Sequence, residues 1–305
     1  MCHTKSVRQS HRTWLMRAPA LTLLITLMMT LGVGCHQERT ESIRLMNQGI
    51  KAYRAGQIDS AVRSLEMAGA VDPSNYSAFY YQGMILNDQA SKTHNEAQYQ
   101  EAIKALRGCV AANKEHAEGY YQLGLAHYEL SQTDEAIKAF DQAIQLKGGH
   151  GDASLLKGKA LLVKRAYNEA QRSFHQAIRI KPQLIEPYQA LSMLYRKFHQ
   201  AAAAAQVLKN AIENHDEVYE FYRDLGQIYA GQEQFSKAIP LYEKALKLNP
   251  TASTLMFLLA RAHMQSKDYR RAEVLLKTFM RRGVTAETQL EHKAAKQMLL
   301  EIKKR

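Results

Sequence analysis

The sequence predicts an all-α protein: a solenoid of about seven helix-turn-helix units closed by one further helix. Residues of matching size recur every 34 positions over most of the chain, and each recurrence holds two amphipathic helical faces. The composition is that of a globular protein, with 46% hydrophobic and 23% charged residues among 305. That excludes a disordered or fibrous chain. Three cysteines, Cys2, Cys35 and Cys109, are too few and too scattered for a disulfide framework or a four-cysteine zinc site.

The first element is an address. Residues 1–17 contain Lys5, Arg8, Arg12 and Arg17 and no acid, and an apolar stretch from Leu21 to Val33 follows, ended by Gly32-Val33-Gly34-Cys35. A basic region, a short apolar core and small residues before a cut read as a signal peptide over 1–34. The apolar stretch is short of the roughly 20 residues that a spanning helix needs. Leu31-Gly32-Val33-Gly34-Cys35 resembles the lipobox of bacterial lipoprotein signal peptides, with Gly32 where a bulky aliphatic residue is usual. That resemblance implies cleavage before Cys35 and acylation of its thiol, with 35–41 as a short tether of at most roughly 25 Å. An ordinary signal or a retained anchor is the alternative reading.

The repeats follow. Gly124, Gly158, Ser192, Gly226 and Ala260 are 34 apart, and so are Ala136, Ala170, Ala204, Ala238 and Ala272. Large apolar residues come next in register, Phe140, Phe174, Leu208, Tyr242 and Leu276, then Ala143, Ala177, Ala211 and Ala245. Two earlier copies carry Gly49, Ala61, Leu65, Ala68 and Pro73, then Gly83, Ala102, Leu106 and Cys109, with seven residues inserted between Gly83 and Ala102. The insertion, around 87–100, is expected to lengthen a surface turn. Units begin near Ser42, Tyr76, Ala117, Gly151, Ile185, Tyr219 and Ser253 and fill 42–284. Small columns let helices approach, large columns fill the gap, and neither helix can bury its stripe alone, so the units must stack.

These columns resemble those of the tetratricopeptide repeat family, whose fold is a right-handed solenoid. Residues 285–305 are expected to form its basic capping helix, with Leu290, Ala294, Met298 and Ile302 on the packing stripe.

No catalytic or metal constellation stands out. The twelve histidines include no pair at four-residue spacing, and Cys109 falls in a small core column, which marks it as packing. Lys147-Gly148-Gly149-His150-Gly151 falls at a turn and lacks the ending of a phosphate loop. The reading is of a chain that is not an enzyme and needs no cofactor. In the family the first helix of each unit lines a concave groove. On that basis the candidate partner surface comprises Met46, Ile50, Tyr53, Tyr80, Met84, Tyr121, Leu125 and Tyr128, then Arg196, Arg223, Phe257 and Arg261. Aromatic and methionine contacts at one end and arginines at the other suit protein or peptide partners with apolar anchors and a carboxylate.

The net charge of +12 does not point to nucleic acid. Four of the positive charges sit in the address, and twelve basic against five acidic residues lie from Arg261 onward. Residues 35–260 carry only +1. Together these features resemble the bacterial envelope lipoproteins built from such repeats, scaffolds that assist assembly of envelope complexes. His36 after Cys35, in place of Asp, favours the outer membrane by the sorting rule of enteric bacteria. The alternatives are binding of an anionic polymer or lipid head group through the basic C-terminus, or an accessory role in an envelope enzyme.

Overall fold

The computed structural model describes residues 18–285 and 288–304, with side chains from His36 onward. The basic stretch 1–17 and the side chain of Cys35, the expected acylation site, lie outside those residues. Among the described residues there are fifteen α-helices and no strand. The fold is an all-α helical-repeat solenoid, and the chain divides into two compact units between Leu146 and Lys147.

The first unit holds three hairpins: α1 (Ala18–Arg54) with α2 (Ile58–Val71), α3 (Tyr76–Thr93) with α4 (Glu96–Ala112), and α5 (Ala117–Glu129) with α6 (Thr133–Leu146). The second holds four: α7 (Gly151–Val163) with α8 (Tyr167–Ile180), α9 (Glu186–Lys197) with α10 (Ala201–Asn214), α11 (Tyr219–Gly231) with α12 (Phe235–Leu248), and α13 (Ser253–Gln265) with α14 (Tyr269–Arg281). The last helix, α15 (Gln289–Lys303), packs on α14 and α13. Within each unit the second helix of one hairpin packs against the first helix of the next.

The repeating columns explain the packing. Ala61, Ala102, Ala136, Ala170, Ala204, Ala238 and Ala272 are fully buried, as are Leu65, Leu106, Phe140, Phe174, Leu208, Tyr242 and Leu276. Each large side chain lies against the small residue of its own hairpin's first helix. A Cβ on Gly124 would stand 2.6 Å from the Phe140 ring, and one on Gly226 would stand 2.7 Å from Tyr242. Where the small residue is Ser192 or Ala260, the large residue in register is Leu208 or Leu276, and Ala260 and Leu276 pack in one buried cluster. Phe279 replaces the usual second alanine only in the last hairpin. No further hairpin has to approach there, and the ring packs against His292 of α15, centroids 4.2 Å apart.

Every hairpin turns the same way. The residue seven after the small column is left-handed in Gly56, Ser131, Arg165, His199, Glu233 and Lys267, with φ from 56° to 75°. In the second hairpin His94 takes that place at φ 53°. The next residue donates its N–H to the carbonyl five back, as Gln57 does to Ala52 and Asp268 to His263. This is the Schellman closure of a helix end.

Three features differ from expectation. The seven-residue insertion is not a longer turn. His94 lies eleven residues after Gly83 rather than seven, so four inserted residues extend α3 and three extend α4. The helices reach 18 and 17 residues, against 12 to 14 for those of the later hairpins. At 3.6 residues per turn, about one turn is added to each antiparallel partner, so their facing stripes stay matched. Leu86, Ala90 and Tyr99 bury the added length against α5.

Residues 35–41, expected as a tether, are helical and continue into the first repeat helix without a break. No proline or turn-forming pair intervenes, and Glu41 pairs with Arg44 one turn on. Seven residues therefore span about 10 Å instead of 25. Finally, Leu290 does not join the packing stripe of α15: it is 81% exposed, while His292 and Ala295 are buried and Ala294, Met298, Leu299 and Ile302 pack around them. The 3.6-residue period places 292, 295, 299 and 302 on the inner face, and Leu290 points away from it.

Candidate partner-binding surface

The first helices of the hairpins carry the candidate residues, and each unit presents its own set. In the first unit, Met46, Ile50, Tyr53, Tyr80, Met84, Tyr121, Leu125 and Tyr128 are all half-buried. They are neither core residues nor free in solvent. Met46, Tyr53 and Met84 rest on the cluster around Leu65 and Ile85. Tyr53 donates its hydroxyl to Asp88 at 3.5 Å, while Tyr80 packs edge-on against Tyr81 and His116, 5.4 Å and 4.9 Å between centroids. Each keeps part of its surface in solvent, and amphipathic side chains of this kind are common at interfaces.

His116 and Cys109 lie under these rings. The His116 Nδ1 accepts the N–H of Gly119 and so caps α5, and Cys109 Sγ approaches the same nitrogen at 3.6 Å. Burial pushes the Cys109 thiol up to about 12 and holds His116 below the ordinary imidazole range. A thiol kept protonated by an apolar core is packing, not a nucleophile.

In the second unit, Arg196 and Arg261 are exposed and Arg223 is half-buried. Arg196 reaches Gln227 at 3.4 Å, and Arg223 pairs with Asp224 at 2.8 Å. The buried hydroxyl of Tyr242 lies within the field of Arg196 and Arg261, which favour its ionisation, and of Asp224, which opposes it. Burial outweighs the arginines and raises it to about 12. Phe257 needs correcting: it is buried, with its ring 5.7 Å from Phe279, and serves as a platform beneath the Arg261 guanidinium, 6.0 Å from the centroid. The helix stripe places it correctly on α13, but contact with Phe279 in the next helix covers it.

At the turn end of α7 and α9 the exposed first-helix stripe read from the sequence includes Lys159, Leu162 and Met193 but not Val163, Arg165, Tyr167 or Lys197. A cavity of about 850 Å³ opens there, lined by Lys159, Val163, Arg165, Tyr167, Met193 and Lys197 among others. Val163 breaks the i, i+4, i+7 stripe by one position. The available signal was a large apolar residue directly before the basic turn Lys164-Arg165, where a polar one suffices. Among the described residues no group of His, Cys, Asp or Glu could hold a metal ion.

Three family models described as Tetratricopeptide repeat match the chain, one over 46–105 and 190–253, one over 117–150 and one over 230–284. A search of the curated proteins finds no match. Among solved structures, the chain is similar to the MamA protein, at 25% identity over 58% of this chain and 93% of that one, TM-score 0.52. It is similar in fold to YrrB, described as a TPR protein with an unusual peptide-binding site, at 19% identity over 67% of this chain and all of that one, TM-score 0.52. It also shares its fold with pilF of Pseudomonas aeruginosa, at 13% identity over 72% of this chain and 95% of that one, TM-score 0.53. The 34-residue columns, the seven hairpins and the matching models agree: this chain belongs to the tetratricopeptide repeat family, whose members are protein-interaction scaffolds.

Proposed function

We propose that this chain is a non-catalytic scaffold at the bacterial cell envelope, anchored through an acyl group on Cys35, that gathers protein or peptide partners on the first-helix faces of its hairpins. The observation that carries the partner reading is the run of half-buried Tyr and Met side chains from Met46 to Tyr128, joined in the second unit by exposed arginines. Aromatic, methionine and arginine residues are the types enriched where proteins bind. The anchor reading rests on the basic, apolar and small-residue order of 1–35. A helical 35–41 would hold the first hairpin close to the membrane surface, with the outer membrane as the favoured face.

Affinity purification of the native protein from membranes after mild cross-linking, with mass spectrometry of the mature N-terminus, tests both parts. An acylated N-terminal Cys35 and specific co-purifying envelope proteins, lost with Arg196→Glu and Arg223→Glu, are expected. An unmodified Cys35 overturns the anchor, and recovery unchanged by both substitutions overturns the arginine surface. A second reading, binding of an anionic polymer or lipid head group, is favoured by exposed Arg281, Arg282, Lys293, Lys296 and Lys303 near the C-terminus. Collapse of binding as salt rises, with little dependence on the Tyr and Met side chains, would favour it.

A further inference from the structure

We infer that the cavity between α7 and α9 is a docking pocket for an apolar side chain flanked by carboxylates, presented by a partner protein. This deepens the scaffold reading above and rests on it.

The pocket combines two features that a lone structural role does not need. Met193 is 65% exposed and Val163 is 67% exposed, so large apolar side chains face water at its mouth. Around them stand Lys159, Arg165 and Lys197, and no acidic side chain lines the cavity. Among the described residues none of the three has a carboxylate partner. Lys197 is held instead by Tyr167: its ammonium donates to the Tyr167 hydroxyl at 2.7 Å and lies 4.1 Å from that ring's centroid. The Tyr167 ring is braced edge-on by Phe198 at 5.1 Å. The cation is therefore positioned at the rim before any ligand arrives, which lowers the ordering cost of binding. Glu169 lies in the adjoining depression, which Arg165, Tyr167 and Phe198 also line, and not in the α7/α9 cavity.

Size and charge specify the occupant. About 850 Å³ accommodates a Leu, Met or Phe side chain together with the backbone on either side of it. A floor that is apolar and a rim that is cationic select Glu or Asp beside that anchor and reject Lys or Arg, since like charges disfavour the wrong partner.

Fluorescence anisotropy with the full-length chain in phosphatidylcholine nanodiscs tests this. The probes are labelled synthetic peptides in three forms: Leu or Phe flanked by glutamates, the same with lysines for glutamates, and the same with serine for the apolar residue. Only the first is expected to bind, with the other two weaker by about tenfold or more. Met193→Asp and Val163→Asp, both at exposed positions and each to be checked for an unchanged fold by circular dichroism, should each weaken it by about tenfold, and Lys197→Glu similarly. Equal binding of all three peptides, or binding of the first unchanged by Met193→Asp and Lys197→Glu, overturns the pocket. That failure is separate from failure of the scaffold reading, which would show as no specific protein co-purifying with the native chain from membranes.

Discussion

Phe174 occupies the space that a side chain on Gly158 would need: a Cβ there would stand 2.5 Å from Cε1 of the buried ring. The same exclusion couples Gly49 to Leu65, Gly83 to Leu106, Gly124 to Phe140 and Gly226 to Tyr242. Replacing Gly158 by Ala improves helix propensity by about 1 kcal/mol but forces a packed ring to move, at about 1–3 kcal/mol. Gly158→Ala is expected to lower stability in urea by about 1 kcal/mol. Adding Phe174→Leu should cost less than its effect alone predicts, since Ala260 and Leu276 show that Ala tolerates Leu; additivity of the two changes would count against the coupling.

The left-handed turn residues make a second prediction. Six of the seven are not glycine, and each holds a conformation that costs a side chain roughly 1 kcal/mol or more. Glu233→Gly should therefore stabilise by up to about 1 kcal/mol, after the entropy that glycine adds to the unfolded chain. Gly56→Val, at φ 75°, should destabilise by at least about 1 kcal/mol. Thermal melts of both variants check the opposite signs.

Acid sensitivity follows from three histidines. Burial holds His116, His175 and His263 below the ordinary imidazole value of 6.5, and at His263 it outweighs the nearby Asp268. The unfolded chain then binds protons at a higher pH than the folded one. Stability is complete above about pH 6.5 and is lost as pH falls through the depressed folded values. His263→Gln should flatten the fall of melting temperature between pH 7 and pH 5; a slope unchanged in that variant would show that His263 does not contribute.

Much of the fold is legible in the sequence because packing in this architecture is periodic. Tyr76, Ala117, Gly151, Tyr219 and Ser253 mark helix starts to the residue, since small and large columns report directly which atoms must touch. What was not legible has a common cause. The fate of Phe257 and of the α7/α9 cavity depends on which neighbouring helix covers a position, and a single helix's period does not contain that information. The left-handed turns were hidden too, because Arg165, His199 and Lys267 fill sites where glycine would have announced them. Of the candidate surface, the register on each first helix could be read, but not which side chains keep an open side.

The cap supplies a fourth prediction. Leu290→Ser, at an exposed position, should change stability by less than about 0.5 kcal/mol. Ala295→Asp would bury a charge against Phe279 and Leu276 and should cost about 3 kcal/mol or more. Comparable losses from both would place the packing face of α15 elsewhere.

The lengthened second hairpin shows how such a chain can grow. An insertion confined to α3 would leave its new turn without an antiparallel partner, and two or three residues in all would rotate every following stripe out of line. Seven residues, shared as four and three, satisfy both requirements at once. Length in this scaffold is accordingly quantised. The tolerated step is a pair of helical turns, so variation at this hairpin should come in increments near seven and leave the neighbouring interfaces untouched.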